Sequence, residues 1–307
     1  MKTMLASAVV ACSLVTFDMA VARAQAPPPP PPPPPAPTFA PLTIHGAKHF
    51  VDVGGRRLDA RVYGTGVAPV VLVSGFRAPQ EYWNPVVPGL AEATTVVTYD
   101  RAGYGKSERG TRALDGLETA RDLHVLLRGV KVDGPYVLVG HSYGGRIVRL
   151  FASAYPGEVA GMVLEESTHE DAIDAQRAVL SGKDLETYDA MTAPFRAVVA
   201  EPRTESEFMP MTSAQLRSSA PLPRVPLIVI TSSSRGLGLP PGFSEDGQRR
   251  LIEAAMELQK RLASLIPGAE HVLVEGVGHN VHVDRPAAVL GPILRLVHTI
   301  RETAKRP

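Results

Sequence analysis

A glycine-flanked serine directly after an apolar run is the feature that most constrains the fold of this chain. The run Tyr136-Val137-Leu138-Val139 predicts a buried strand, and Gly140-His141-Ser142-Tyr143-Gly144 follows it without a break. The next segment, from Arg146 to Ala152, has apolar residues at helical spacing. A turn this tight between a strand and a helix needs small residues on both sides of its apex. We therefore expect Ser142 to be exposed, in a strained backbone conformation near a helix N-terminus.

Such a serine is typical of a nucleophile elbow. A serine hydroxyl is a weak nucleophile at neutral pH, so it needs a base within hydrogen-bonding distance and a carboxylate that orients this base. The alternative interpretation is a chance Gly-x-Ser-x-Gly in an ordinary turn, but a chance match would not usually connect a strand to a helix. The motif therefore predicts Ser142 as the nucleophile of a hydrolytic site.

Length and charge limit the other classes of function. The chain has 307 residues, 44% of them hydrophobic, which suits a packed core. Its net charge of +1 provides no field that would attract nucleic acid. The sequence contains no His-Glu-x-x-His or similar cluster of metal ligands. We expect no metal, no organic cofactor and no nucleic-acid partner.

The N-terminal residues have the pattern of an export signal. Lys2 precedes an apolar stretch from Met4 to Phe17 that is too short to span a bilayer, and small residues suitable for cleavage end at Ala24 and Ala26. We predict a signal peptide over residues 1–26 and a periplasmic or secreted protein without a membrane span. A lipid anchor at Cys12 is the alternative, because the preceding residues resemble a bacterial lipobox.

A proline tract separates this signal from the rest of the chain. Nine consecutive prolines, Pro27 to Pro35, predict a stiff polyproline II spacer, and we assign residues 27–41 to a proline-rich linker. A ligand for a proline-binding protein is the other interpretation of the tract. The folded domain is then expected over residues 42–307, as a monomer or a weak dimer.

Within that domain, short apolar runs alternate with segments of helical periodicity. This pattern predicts a mostly parallel sheet with helices on both faces, since buried parallel strands show no polar alternation. A Gly54-Gly55 turn predicts an antiparallel hairpin at the start. Residues 170–224 interrupt the alternation with helical stretches, prolines and a loop around Met209, and we predict that they form a small cap over the site. The predicted strands are 49–53, 58–62, 69–73, 94–99, 136–139, 160–164, 226–230 and 271–274.

The order of these elements and motifs resembles the α/β-hydrolase family from about Lys48 to the C-terminus. The segment Asp100-x-x-Gly103-x-Gly105-x-Ser107 is similar to the turn after the family's fourth strand. Its ending, Gly105-Lys106-Ser107, matches that of a phosphate-binding P-loop, but the pattern also needs a glycine five residues before Gly105, where this chain has Asp100. This difference argues against nucleotide binding. Gly278-His279 matches the family's loop that carries the catalytic histidine, so the resemblance implies His279 as the base. His282 is the alternative base.

The carboxylate of the predicted triad has three candidates in the sequence. In many members of the family an Asp follows the seventh strand, but Pro226 to Ile230 leads into a stretch without an acid until Glu245 and Asp246. The haloalkane-dehalogenase-like branch places the acid after the sixth strand, where this chain has Glu165 and Glu166. The resemblance to chains that read Val-Leu-x-Asp-x-x-His favours Glu166, with Asp246 and Glu165 as alternatives.

The tetrahedral intermediate of acyl transfer needs N–H donors directed at its oxyanion. One expected donor is the backbone of Tyr143, next to the nucleophile. The other comes from the loop after the third strand, where family members commonly have His-Gly and this chain has Ser74-Gly75, and by position it is the backbone of Phe76. Tyr82 and Trp83 either line the pocket or pack beside it.

Together these residues predict an exported serine hydrolase that acts on a small ester through an acyl-enzyme. A serine at the elbow argues against dehalogenase and epoxide-hydrolase chemistry, whose relatives use Asp there. An amidase or aminopeptidase, with Glu165 or Glu170 binding a substrate amine, is one alternative. A non-catalytic binding protein on the same fold is the other.

Overall fold

The computed structural model describes residues 42, 44–233 and 242–305. The predicted signal peptide and proline-rich linker lie outside the described residues, so both stay predictions. No helix in the described ranges is long and apolar enough to cross a bilayer.

An eight-stranded sheet forms the centre of the described domain. Its order is β1-β2-β4-β3-β5-β6-β7-β8; β2 pairs antiparallel with β1 and with β4, and all other pairs are parallel. The parallel strands therefore end at one edge of the sheet, where open α/β sheets place their ligands. The strands are β1 (Ala47–Asp52), β2 (Arg57–Tyr63), β3 (Val70–Val73), β4 (Val96–Tyr99), β5 (Tyr136–His141), β6 (Val159–Glu165), β7 (Leu227–Ser232) and β8 (Glu270–Val274).

Helices cover both faces of the sheet, as the apolar strands require. Alternate residues of β3 enter different hydrophobic clusters: Val71 and Val73 pack with residues of α2, α3 and α7, while Val70 and Leu72 pack with residues of α1 and α9. The helices are α1 (Val87–Ala91), α2 (Gly116–Gly129), α3 (Tyr143–Ala154), α4 (Ala172–Ala178), α5 (Gly182–Arg196), α6 (Met209–Ser218), α7 (Glu245–Ala263), α8 (Val281–Asp284) and α9 (Pro286–Ala304).

The eight predicted strands and the antiparallel hairpin are confirmed, with boundaries that differ by a few residues at most. The predicted loop around Met209 was wrong, because Met209–Ser218 is the helix α6. Pro210 lies in the first turn of this helix, where its missing N–H removes no intrahelical hydrogen bond. Helices α4, α5 and α6 form an insertion between β6 and β7, where the cap was expected.

Candidate active site

Ser142 lies between the end of β5 and the start of α3, with a φ of 52° and a ψ of −117°. Few non-glycine residues adopt this region, and those that do are held there by their surroundings. The Ser142 N–H donates to the Glu165 carbonyl at 3.0 Å, and the Ser142 carbonyl accepts from Thr168 N at 3.1 Å. The serine turn is thus fixed to the end of the neighbouring strand β6.

Two glycines allow the chain to fold back at this turn. A Cβ atom at Gly140 would lie 2.6 Å from the Cα of Gly145, and one at Gly144 would collide with the Val73 carbonyl. Any larger residue at these positions would push α3 away from β3. The close packing of strand, turn and helix explains why the residue between these glycines lies at the apex of the turn.

Glu166 follows the last residue of β6 and is almost fully buried, with 2% of its surface exposed. Its φ of 46° is also left-handed. The Glu166 N–H donates to the Ile230 carbonyl at 2.8 Å, and its Oε1 accepts from Ser232 N at 2.7 Å. The remaining oxygen, Oε2, lies 3.1 Å from His279 Nδ1. The structure therefore brings Glu166 and His279 together, with the carboxylate held by the end of β7.

His279 lies in the loop between β8 and α8, and about half of its side chain is exposed. Gly276 in the same loop has a φ of 67°, which lets the chain return over the sheet edge. The hydrogen bond to Glu166 places the proton on Nδ1, because a carboxylate can only accept. Nε2 of His279 is then free to act as a base.

The alternative acids have other partners. Asp246 lies in the first turn of α7, where it pairs with Arg249 and Arg250 and is about half exposed. Glu165 Oε1 accepts from the backbone N of His282 at 2.8 Å and lies 2.7 Å from its Nδ1. Neither carboxylate contacts His279 within the described residues, so the geometry favours Glu166. The alternative base, His282, is buried against Glu165 and faces away from solvent.

A second layer of buried groups lies beneath these residues. His141 Nε2 lies 3.0 Å from the carbonyl of His279, so it must donate its proton there. Burial is the main cause that lowers the pKa of His141 well below its ordinary value, and the two neighbouring histidines lower the pKa further. His141 is therefore neutral, and it holds the backbone of the His279 loop. No sequence pattern predicts this contact, because it joins residues 138 positions apart.

The same layer contains the group of residues best suited to hold a metal in the described part of the chain. His141, Glu165 and His282 each offer a ligand atom within 4.8 Å of the others. Two of the three are hydrogen-bonded to each other, because Glu165 Oε1 contacts both the backbone N and the Nδ1 of His282. Trp83 packs on this cluster, with its ring 4.4 Å from that of His282, and is fully buried. Trp83 is therefore a core residue, whereas Tyr82 is half-buried.

The two expected oxyanion donors lie close to Ser142. Phe76 is in the loop after β3, and its ring is 6.5 Å from that of Tyr143 in an edge-on arrangement. Tyr143 is the first residue of α3, and the first N–H groups of a helix have no intrahelical acceptor. Among the described residues, neither backbone N–H donates to a protein acceptor. Two main-chain donors are thus available next to the serine.

The Ser142 hydroxyl itself makes no hydrogen bond to any of the described residues, His279 included. The rings of His141 and His279 are 4.8 Å apart, so the imidazole of His279 lies against the residue next to the serine. Catalytic hydrogen bonds are often long without substrate and tighten in the complex.

A cavity of about 810 Å³ lies beside the oxyanion loop. Its wall includes Phe76 and Tyr104 from the core and Glu205 from the insertion. Three arginines also line it, namely Arg77, Arg109 and Arg203. The guanidinium of Arg109 donates to backbone carbonyls, so no carboxylate among the described residues neutralises its charge. Arg203 pairs with Glu201, which also lines the cavity. Among the described lining residues, Arg77 and Arg109 are therefore the cations without a carboxylate partner.

Comparison with known proteins places this geometry in a family. A family model described as "Alpha/beta hydrolase family" matches residues 70–291. The chain is 26% identical over 272 residues to 2-(acetamidomethylene)succinate hydrolase of Mesorhizobium japonicum, covering 80% of this chain and 94% of that protein. It is 26% identical over 226 residues to the uncharacterized protein YqjL of Bacillus subtilis, covering 74% of this chain and 82% of that protein.

A solved structure with the same fold is a thermophilic esterase from Thermogutta terrifontis. It superposes with a TM-score of 0.60 at 20% identity, over 84% of this chain and 99% of that one. At this identity the superposition supports the fold alone. The family model spans most of the folded domain and includes the serine turn, the Glu166 position and the His279 loop. The chain therefore belongs to the alpha/beta hydrolase family.

Proposed function

We propose that this hydrolase is a serine esterase in which Ser142 is the nucleophile, His279 the general base and then acid, and Glu166 the orienting carboxylate. The observation that carries the proposal is the serine at positive φ on the elbow, with two unbonded main-chain N–H groups beside it. The chain is also similar to a soluble epoxide hydrolase and a fluoroacetate dehalogenase. For enzymes of these two classes the family resemblance implies Asp at the elbow, where this chain has Ser142. An aspartate there attacks carbon as a carboxylate, whereas a serine must be deprotonated by a base.

The geometry supports the following sequence of steps. Ser142 Oγ attacks the ester carbonyl, and its proton passes to His279 Nε2 as the C–O bond forms. The N–H groups of Phe76 and Tyr143 bind the oxyanion. Collapse of the intermediate expels the alcohol, which takes the proton from His279 and leaves an acyl-enzyme. Water then attacks the acyl carbon by the same route, and Ser142 regains its proton.

An anionic amide is a second candidate substrate. The relative from Mesorhizobium japonicum is named for hydrolysis of an acetamido-bearing succinate. In this chain, Arg77 and Arg109 line the cavity beside the oxyanion loop without a carboxylate partner among the described residues, and they would suit a substrate carboxylate. Support for an aminopeptidase is weaker, because Glu170 pairs with Arg149 and Glu165 with His282. Neither acid is therefore available to a substrate amine.

A fluorophosphonate probe tests the serine chemistry. We expect one covalent adduct, which peptide mass spectrometry locates on Ser142, together with hydrolysis of p-nitrophenyl acetate. Ser142→Ala should lose both, whereas Ser153→Ala, the same change further along α3, should keep both. A folded protein that takes up no probe would instead favour a non-catalytic binding protein. If the probe does label Ser142, comparing the hydrolysis rates of short esters with those of amides that carry a carboxylate would distinguish the two substrate classes.

Export is proposed separately, on the pattern of residues 1–26. Expression of the full chain in a bacterial host should yield a mature protein that begins at Gln25 or Pro27. A retained N-terminus would reject the predicted signal peptide, and a lipid-modified Cys12 would favour the anchor.

A further inference from the structure

Arg101 is a fully buried cation directly behind the oxyanion loop. It follows Asp100 after the end of β4, and only 2% of its surface is exposed. Its Nη1 donates to the Ser74 carbonyl at 2.6 Å, and its Nη2 donates to the Gly75 carbonyl at 2.9 Å. Two consecutive peptide groups of the loop after β3 are thus bound by one guanidinium. A buried charge of this kind is costly unless all its donors are used.

The Gly75 carbonyl accepts from Arg101 and, at 3.2 Å, from the Ala78 N–H, and these contacts fix the direction of the next N–H. The Gly75–Phe76 peptide is trans, so its carbonyl and its N–H point in opposite directions. Because the carbonyl is bound to Arg101, the N–H of Phe76 points away from Arg101. Gly75 lies against the nucleophile: a Cβ atom built on it would be 3.2 Å from the Cβ of Ser142. The residue that precedes this N–H is therefore in contact distance of the reacting serine.

Arg101 also contacts the residue that carries the second donor. Its guanidinium lies 5.5 Å from the ring centre of Tyr143. It is also 5.3 Å from the ring centre of Tyr104, which lines the cavity. One side chain thus binds the peptide group of one expected donor and lies over the ring of the residue that carries the other. Its charge polarises the Gly75–Phe76 peptide in the sense that strengthens the N–H as a donor.

Glu205 of the insertion holds Arg101 in this position. Its two oxygens accept from Nε at 2.5 Å and from Nη2 at 3.0 Å, and it is as buried as Arg101. Burial opposes the charged form of Arg101, but the Glu205 carboxylate outweighs it and the pKa of Arg101 is raised. The planar fork of arginine can bind a carboxylate and two carbonyls at once, which a lysine ammonium cannot do with the same geometry.

We propose that Arg101 is a positioning residue of the oxyanion hole: it orients and polarises the Gly75–Phe76 peptide, and Glu205 connects it to the insertion. This inference rests on the proposed serine hydrolase function. It assigns Arg101 no contact with substrate, so its loss should affect the transition state more than the bound ester.

The test compares Arg101→Met and Arg101→Lys with wild type, with active sites counted by fluorophosphonate titration. Removing one oxyanion donor typically costs about 10²–10³ in kcat. We expect Arg101→Met to lower kcat about 100-fold with KM changed less than about threefold, and Arg101→Lys to lower it about tenfold. The affinity for a trifluoromethyl ketone, which forms an oxyanion on the serine, should fall by the same factor as kcat/KM. The affinity for the product acid should stay unchanged.

Arg56 supplies a matched control, because it is also a buried arginine that bonds one carboxylate, Asp122, and backbone carbonyls. Arg56→Met should lower the melting temperature and leave kcat and ketone affinity within about twofold of wild type. Unchanged ketone affinity in both Arg101 variants would overturn the proposal, as would equal losses for ketone and product acid. If Arg101→Met does not fold, Arg101→Lys decides. Wild-type protein that takes up no fluorophosphonate would reject the hydrolase function itself, and this role with it.

Discussion

At the scale of single residues, the site depends on two side chains held at positive φ. Ser142 and Glu166 have φ angles of 52° and 46°, and such positions typically cost about 1–3 kcal/mol each. The glycines around Ser142 made its conformation predictable. No comparable pattern surrounds Glu166, whose conformation is imposed by bonds to Ile230 and Ser232 on the neighbouring strand. Those contacts are long-range, so the sequence could only narrow the acid to a few candidates.

The identity of the acid is tested by exchanging single carboxylates for amides. Glu166→Gln should lower kcat by about 10²–10⁴, because the amide N–H₂ would face His279 Nδ1 and favour the wrong tautomer. Asp246→Asn should leave kcat unchanged, since the partners of Asp246 among the described residues are exposed arginines of its own helix. Turnover of p-nitrophenyl acetate by the two variants measures this. Near-normal turnover by Glu166→Gln, with loss in Asp246→Asn, would transfer the role to Asp246.

At the scale of elements, two adjacent strands each end in a pair of functional residues. The end of β5 carries His141 and Ser142, and the end of β6 carries Glu165 and Glu166. The first member of each pair is buried: His141 binds the His279 carbonyl, and Glu165 binds the His282 N–H. The second members, Ser142 and Glu166, belong to the proposed triad. Strand alternation alone could not say which glutamate faces the site, because the turn could begin at either one. The helix α6 was missed for a different reason, because Pro210 suggested a loop.

The buried member of the second pair gives a prediction about α8. Glu165→Met removes the acceptor of the His282 backbone N–H and leaves that group buried and unpaired. Such a group costs about 1–3 kcal/mol, so the free energy of unfolding should fall by that amount, and kcat should fall as the His279 loop loosens. Glu165→Gln keeps an acceptor oxygen at nearly the same place, so its free energy of unfolding should fall by clearly less. Urea unfolding of both variants tests the idea, and equal stabilities would contradict it.

At the scale of the whole molecule, the insertion and the core are joined by buried charged and ionisable groups. Glu205 pairs with Arg101, Glu170 pairs with Arg149, and His169 lies just after β6 with 4% of its surface exposed. Composition and hydropathy predicted the sheet and its helices well, because apolar periodicity determines the core. These polar contacts could not be predicted, because each joins residues far apart in sequence.

Two buried histidines make the stability of the fold depend on pH. Burial is the main cause that lowers the pKa of His169 to about 4 and that of His141 well below its ordinary value. In the unfolded chain both would titrate near 6.5, so the unfolded state binds more protons below that pH. Stability should therefore be fully present above about pH 6.5 and should fall as the pH drops toward 4. Each proton contributes a slope of up to about 1.4 kcal/mol per pH unit.

The variant His169→Asn separates the contribution of His169 to this pH dependence from that of His141. Its side-chain oxygen can replace Nδ1 as the acceptor for the Asp171 N–H, so the contact is kept and the titrating group is lost. Urea unfolding between pH 4.5 and 6.5 should show a slope smaller by up to about 1.4 kcal/mol per pH unit than in wild type. Burial raises the pKa values of Asp59 and Asp122, which acts in the opposite direction, but both are present in each protein and cancel in the comparison. Parallel slopes for the two proteins would show that His169 is already protonated in the folded state.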